Sequence, residues 1–131
     1  MTPLRMAAVT TVTLALVLYT IGSTKERRAR RVTAGVRGFL AAGVGCDVAA
    51  TALMVLATGR QGFTTHGVLG YSALAAMAID TVLLWRHAAR AGDAPVPPRL
   101  HAYSRIAYLY WVVAYVTGAA LVMAARAAGP A

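Results

Sequence analysis

The chain is short, apolar and basic. It has 131 residues, of which 59% are apolar and 13% are charged, and its formal net charge is +9. A soluble domain is about half apolar and about a quarter charged, so this composition disfavours a soluble globular protein and excludes a disordered tail, a collagen and a coiled coil. The single cysteine, Cys46, excludes an intrachain disulfide and a cysteine-based metal cage.

Four nearly charge-free stretches have the length that a helix needs to cross a bilayer, about 20 residues. The first and the last contain no charged residue, the second contains Asp47 and the third contains Asp80. A chain this short cannot bury so much apolar surface in a water-soluble core, and lipid is the better solvent for it. The sequence therefore predicts one all-α integral-membrane domain, a bundle of four transmembrane helices at about 4–24, 33–59, 63–86 and 101–126.

The basic residues indicate how these helices are oriented. Ten of the thirteen Lys and Arg residues lie at positions 25–37 or 86–105. The positive-inside rule then places two basic loops, 25–32 and 87–100, in the cytoplasm and both termini outside. Only Arg5 precedes the first apolar stretch, which favours a retained span over a cleaved signal peptide.

This topology accounts for the positive charge without a nucleic-acid partner. The predicted partner is instead the lipid bilayer, with the basic loops near anionic headgroups. We therefore expect a multi-pass protein of the bacterial plasma membrane, and the sequence is compatible with a homo-oligomer.

Two carboxylates lie inside the predicted spans. An ionised carboxylate near the bilayer centre costs roughly 2.5–3.5 kcal/mol, so such groups face the bundle interior, find a partner or stay protonated. Asp80 precedes Arg86 by six residues, and its predicted partner is Arg105 or Arg37. Asp47 lies near the middle of its span with no cation at the same depth, so we expect it to be protonated.

The fourth predicted helix is rich in aromatic residues. These side chains could line a cavity, stack on a flat ligand or fill the bundle core. A helical wheel gives this helix a polar and aromatic face with Trp111 on its flank. The residues on that face are His101, Arg105, Tyr108, Val112 and Tyr115.

Short motifs occur in order along all four predicted helices. They are Leu18–Gly22, Cys46-Asp47 with Leu53-Met54, His66–Gly70, Met77–Trp85, and Leu100–Ser104 followed by Trp111 and Gly118. Their order and spacing resemble the HsmA family of small four-span bacterial membrane proteins, which is associated with haem binding. The resemblance covers nearly the whole chain and implies a four-helix bundle with haem b. Two histidines of the family pattern are absent, since Arg37 lies in a histidine-free region and Asp80 stands at the second position.

The first functional hypothesis is a protein that binds haem or a related planar or lipophilic ligand. The resemblance implies His101 and His66 as haem ligands, but they begin helices on opposite sides of the membrane and cannot share one metal. Asp80 would orient His101 by accepting its other ring N–H. Arg37 and Arg105 would pair with acidic groups of the ligand, and three aromatic residues would pack against it. These three are Tyr108, Trp111 and Tyr115.

The second hypothesis is a membrane enzyme. A protonated Asp80 or Asp47 in an aromatic-lined apolar cavity would act as a general acid. Aromatic faces would stabilise a cation, which suits the acid-initiated cyclisation of an isoprenoid epoxide. A third hypothesis is a structural or assembly subunit, in which the same charges only pin the helices together.

Overall fold

The computed structural model describes residues 3–58 and 65–128. They form four α-helices, α1 (Pro3–Ala29), α2 (Ala34–Thr58), α3 (Thr65–Ala91) and α4 (Pro98–Ala127). Each of the four is long and apolar enough to cross a membrane. The predicted all-α architecture with four candidate spans is therefore confirmed.

Two helices continue further into the basic segments than the sequence predicts. Residues 25–29 belong to α1 and residues 87–91 belong to α3, so the connections shorten to 30–33 and 92–97. Arg30 and Gly92 have positive φ angles of 55° and 58°, the left-handed conformation that ends helices. The basic residues continue the helices because Lys and Arg favour helix and their charges reach solvent.

The starts of α2 and α4 have local signals. The Thr33 side chain accepts a hydrogen bond from the Val36 backbone N–H at 3.2 Å, which caps α2. Pro98 begins α4, a position where its missing N–H costs nothing. The Val96 N–H donates to the Arg30 carbonyl at 2.8 Å, so the two short connections lie side by side. We call this end of the bundle, which carries both connections, the basic end.

The helices form a ring in chain order. Each helix packs against the next and α4 packs against α1, whereas the backbones of the diagonal pairs stay more than 8 Å apart within residues 3–58 and 65–128. The α1–α2 pair has the most extensive contact. Glycines permit this approach, because a Cβ at Gly43 would overlap the Tyr19 ring and one at Gly22 would lie 2.9 Å from Leu40 Cδ2.

The interior is narrow and the outer surface is apolar. The core side chains include Tyr19, Leu40, Met77, Leu84 and Trp111, all buried. Large apolar side chains cover the outside, and among them are Leu14, Val48, Val82, Ile106 and Val113. An apolar surface of this extent marks a region that another apolar phase covers, which fits a lipid-facing bundle.

Candidate functional site

Asp47 joins three helices in the middle of the bundle. It lies on α2 and is 5% exposed. Its Oδ2 accepts hydrogen bonds from the Tyr19 hydroxyl of α1 at 3.1 Å and from Trp111 Nε1 of α4 at 2.7 Å. The Tyr19 and Trp111 rings also meet edge to face, with centroids 4.9 Å apart. The predicted interior position of Asp47 is confirmed, and its partners are two neutral donors.

The Asp47 contacts continue along α4. Tyr115 stacks on Trp111 with ring centroids 5.8 Å apart, and its hydroxyl lies 3.0 Å from Thr13 Oγ1 of α1. These contacts fill the space between α1, α2 and α4 with rings. Trp111 and Tyr115 thus take the core-filling place that was one of the alternatives for them.

A buried contact between an imidazole and a carboxylate connects α1 and α4 at the basic end. His101 Nδ1 lies 2.8 Å from Glu26 Oε1 and 3.1 Å from Oε2. Glu26 is 1% exposed and His101 is 8% exposed. The expected partner of the His101 ring was Asp80, and that prediction is wrong. Glu26 takes this place because the extension of α1 beyond residue 24 carries it alongside the first turns of α4.

Asp80 of α3 is fully buried. Its Oδ2 accepts a hydrogen bond from Ser104 Oγ of α4 at 3.1 Å. Its Oδ1 has no hydrogen-bond partner in the part of the chain that the structure describes. The interior position predicted for Asp80 is confirmed, but half of its carboxyl group is unsatisfied, which is costly in an apolar interior.

The ion pair predicted between Asp80 and Arg105 or Arg37 is wrong. No arginine nitrogen among the described residues lies within 4.0 Å of Asp80. Arg105 is exposed, and the Arg37 guanidinium lies over the Trp85 ring at 5.5 Å from its centroid. Arg105 keeps its charge at the surface, which is cheaper than a buried pair. Arg37 Nε is instead buried and has no hydrogen-bond partner among the described residues.

A cavity of about 50 Å³ opens between α1 and α4 at the basic end. Three of its residues are buried and form what we call the cavity floor, namely Ser23, Glu26 and Ser104. The other four are at least partly exposed and form what we call the cavity mouth, namely Arg27, Arg105, Tyr108 and Leu109. The floor thus connects to both the Glu26–His101 pair and the Ser104–Asp80 hydrogen bond.

The cavity gathers only some of the predicted site residues. Arg105 and Tyr108 line it, and His101 contacts it through Glu26. Arg37 is not among the lining residues, and Arg27 supplies the second arginine instead. The side chain of His66, the other predicted haem ligand, lies outside the described residues.

Three residues of the polar clusters were missed from sequence. They are Tyr19, Glu26 and Ser104. The spacing held a usable signal for two of them, since Tyr19, Ser23 and Glu26 follow at intervals of four and three residues and share one helix face. Glu26 is also the one acidic residue within the basic segment 25–31.

The cavity beside Glu26 is too small for a haem. Pockets for ligands of drug size and above measure roughly 300–1,000 Å³. The cavity beside Glu26 measures about 50 Å³. The contact of His101 Nδ1 with Glu26 does not decide the question, because metal-ligating histidines commonly contact a carboxylate through their other ring nitrogen. Haem binding therefore stays a prediction from the resemblance, and the geometry adds no support to it.

No family model, curated protein or solved structure matches the chain. The resemblance to the HsmA family is consequently neither supported nor refuted. The contacts of the described residues are therefore the basis for the function proposed below.

Proposed function

We propose that the chain is a multi-pass protein of the bacterial plasma membrane that binds a lipophilic ligand carrying an acidic group. The observation that carries the proposal is the composition of the cavity mouth. Two arginines, Arg27 and Arg105, stand there beside Leu109 and Tyr108. Arginine pairs with carboxylate and phosphate groups through charge-assisted hydrogen bonds. The exposed apolar side chains next to the mouth provide a surface along which the rest of the ligand can lie.

The charges around the cavity favour an anion over a cation. Glu26 is the one acidic residue that lines the cavity, and its carboxylate is paired with His101. The two arginines of the mouth outnumber this single carboxylate, so an approaching headgroup meets a net positive charge. Both are exposed, so binding an anion costs them little of the desolvation that burial would demand.

The proposed topology places this mouth at the inner face of the membrane. The positive-inside rule puts the basic end in the cytoplasm and both termini outside. An amphiphile of the inner leaflet would then present its headgroup at the same depth as Arg27 and Arg105. The ligand class consists of single-chain or planar lipophilic molecules with a carboxylate or a phosphate.

The first test compares a charged and a neutral form of one molecule. The protein is reconstituted in vesicles of zwitterionic lipid at mildly alkaline pH, with spin-labelled stearic acid or its methyl ester as the probe. We expect the acid, but not the ester, to show a motionally restricted component by electron paramagnetic resonance. Arg105→Gln should weaken the affinity about tenfold, because a hydrogen bond to a charged group contributes about 1.5–3 kcal/mol.

Arg31→Gln is the matched control for this test. Arg31 is exposed in the connection between α1 and α2 and does not line the cavity. We expect it to leave the affinity near that of the wild type. Equal restriction of acid and ester, or equal affinities of the two variants, would contradict the proposal.

Haem, as the ligand that the resemblance implies, is tested separately. The protein is expressed with added haem, purified in mild detergent, and its absorption is measured before and after reduction. A Soret band that disappears in His101→Ala would support haem binding, and the lack of a band would end that hypothesis for this chain.

Asp80 favours a second candidate function, acid–base catalysis on a lipid-like substrate. Its unpartnered Oδ1 could carry a proton for donation, whereas both donors at Asp47 point to one oxygen of a packed core. Asp80→Asn should abolish the cyclisation of an epoxide-bearing isoprenoid while ligand binding at the mouth persists. A variant that only loses stability, with binding and turnover unaffected, would indicate the structural role instead.

A further inference from the structure

Asp80 combines complete burial with incomplete hydrogen bonding. Its side chain is 0% exposed, and Ser104 is its hydrogen-bond partner. Its Oδ1 is unpartnered within residues 3–58 and 65–128, and no arginine or lysine there lies within ion-pair distance. A lone carboxylate in an apolar interior is strongly disfavoured. We therefore expect Asp80 to be a neutral carboxylic acid at rest.

Ser104 separates this buried acid from the cavity. Its Oγ donates to Asp80 Oδ2 at 3.1 Å, and the same residue lines the cavity floor. A hydroxyl group both donates and accepts hydrogen bonds. Ser104 can thus hold Asp80 on one side and accept a hydrogen bond from the cavity on the other.

The cavity floor has the volume and the polar groups that a bound water molecule needs. The Ser23 Oγ is buried and has no protein partner among the described residues, although it lies on the floor beside Glu26 and Ser104. A water needs roughly 10–15 Å³ of such volume and two to four polar partners. The volume of about 50 Å³ and the three polar residues of the floor meet both conditions.

We propose that Ser104 and the water of this cavity form a proton path that connects Asp80 with the basic end of the bundle. In uptake, a protonated cavity water gives its extra proton to Ser104 Oγ, and Ser104 passes its own hydroxyl proton to Asp80 Oδ2. The hydronium becomes water, the carboxylate becomes a carboxylic acid and the serine is unchanged, so charge and atoms balance. Release is the reverse sequence.

Charged and polar side chains of α1 and α4 surround the path. Glu26 and Arg27 face the cavity from α1, and Arg105 and Tyr108 face it from α4. His101 Nδ1 contacts the Glu26 carboxylate at 2.8 Å. The path does not depend on the ligand proposed for the cavity mouth, because it uses the floor residues, and it would exist in a protein that binds no amphiphile.

Infrared spectroscopy tests the path directly. The wild-type protein in a lipid film is transferred from H₂O to D₂O, and the carbonyl stretch of protonated carboxylic acids is followed with time. The band that disappears in Asp80→Asn but persists in Asp47→Asn belongs to Asp80. We expect its deuterium shift to slow by at least about tenfold in Ser104→Ala, since exchange then needs local opening of the bundle.

Three further variants keep the result interpretable. Ser104→Thr retains a hydroxyl and should exchange nearly as fast as the wild type, and Ser72→Ala removes an exposed hydroxyl of α3 that lies away from the cavity floor and should change nothing. Ser23→Leu fills the cavity, keeps Ser104 and should slow the exchange as well. If Ser104→Ala fails to fold, the rate of deuterium exchange in Ser23→Leu tests the proposal.

Two results would overturn the proposal. One is exchange at the wild-type rate in Ser104→Ala or in Ser23→Leu, which would show that protons reach Asp80 by another route. The other is a wild-type spectrum without any carboxylic acid band that depends on Asp80.

Discussion

Two buried aspartates of this bundle differ in what surrounds them. Asp47 receives hydrogen bonds from Tyr19 and Trp111 and lies in a core filled by aromatic rings. Asp80 has Ser104 as its partner and lies one hydroxyl group away from a cavity. Both lie within helices that are long and apolar enough to cross a membrane, where a carboxylate is costly. The difference indicates that Asp47 holds helices together, whereas Asp80 is the carboxylate to which we assign a proton path.

The helix interfaces around them differ in the same way. The α1–α2 interface is close, with Gly43 against the Tyr19 ring. The α1–α4 interface is more open at the basic end, where the cavity separates Glu26 from Arg105. A tight interface suits a structural carboxylate, while a looser one leaves room for water or a headgroup.

Removing each carboxylate should separate these two roles most strongly. Asp47→Ala leaves the Tyr19 hydroxyl and the Trp111 N–H without an acceptor in a dry core, and each orphaned group costs about 1–3 kcal/mol, so the expected loss is about 2–6 kcal/mol. Asp80→Ala should cost about 1 kcal/mol, because Ser104 can turn to cavity water. Reversible unfolding in mixed micelles measures both values, and equal losses would refute the contrast.

A glycine substitution tests the close interface. Gly43→Ala places a methyl group against the Tyr19 ring, and overpacking of this kind costs about 1–3 kcal/mol. Gly45→Ala is the matched control on the same helix, since a Cβ there meets nothing within 4 Å among the described residues. That variant should gain up to about 1 kcal/mol from helix propensity. The same unfolding assay would contradict the packing account if both variants behaved alike.

The smallest expected effect concerns a peripheral contact of the Asp47 cluster. Tyr115→Phe removes the hydrogen bond to Thr13 but keeps the ring that stacks on Trp111. Hydrogen bonds between membrane helices contribute about 0.6 kcal/mol on average, so the loss should be about that size. Tyr115→Ala should lose clearly more. A Phe variant as unstable as the Ala variant would mean that the hydroxyl, rather than the ring, supports Trp111.

Much of the architecture was predictable from sequence. The four spans, the gathering of both basic segments at one end, and the interior position of Asp47 and Asp80 all follow from hydropathy and charge. Such features depend on whether a segment is more stable in water or in lipid, and the residues of the segment itself determine that preference. The helix lengths were predicted less well, because the charged segment Lys25 to Ala29 is helical.

The partners of the polar residues depended on tertiary structure. Glu26 and His101 are separated by 75 residues, and Asp47 and Trp111 by 64 residues. A helical wheel gives the direction of a side chain on its own helix but not the rotation or the identity of the neighbouring helix. The helical wheel therefore predicted that Arg105 lies beside Asp80. In the folded chain Asp80 accepts a hydrogen bond from the Ser104 hydroxyl instead, and Arg105 is exposed. Lipid and water decide which segments are buried, but the packing of one helix against another decides which buried groups meet.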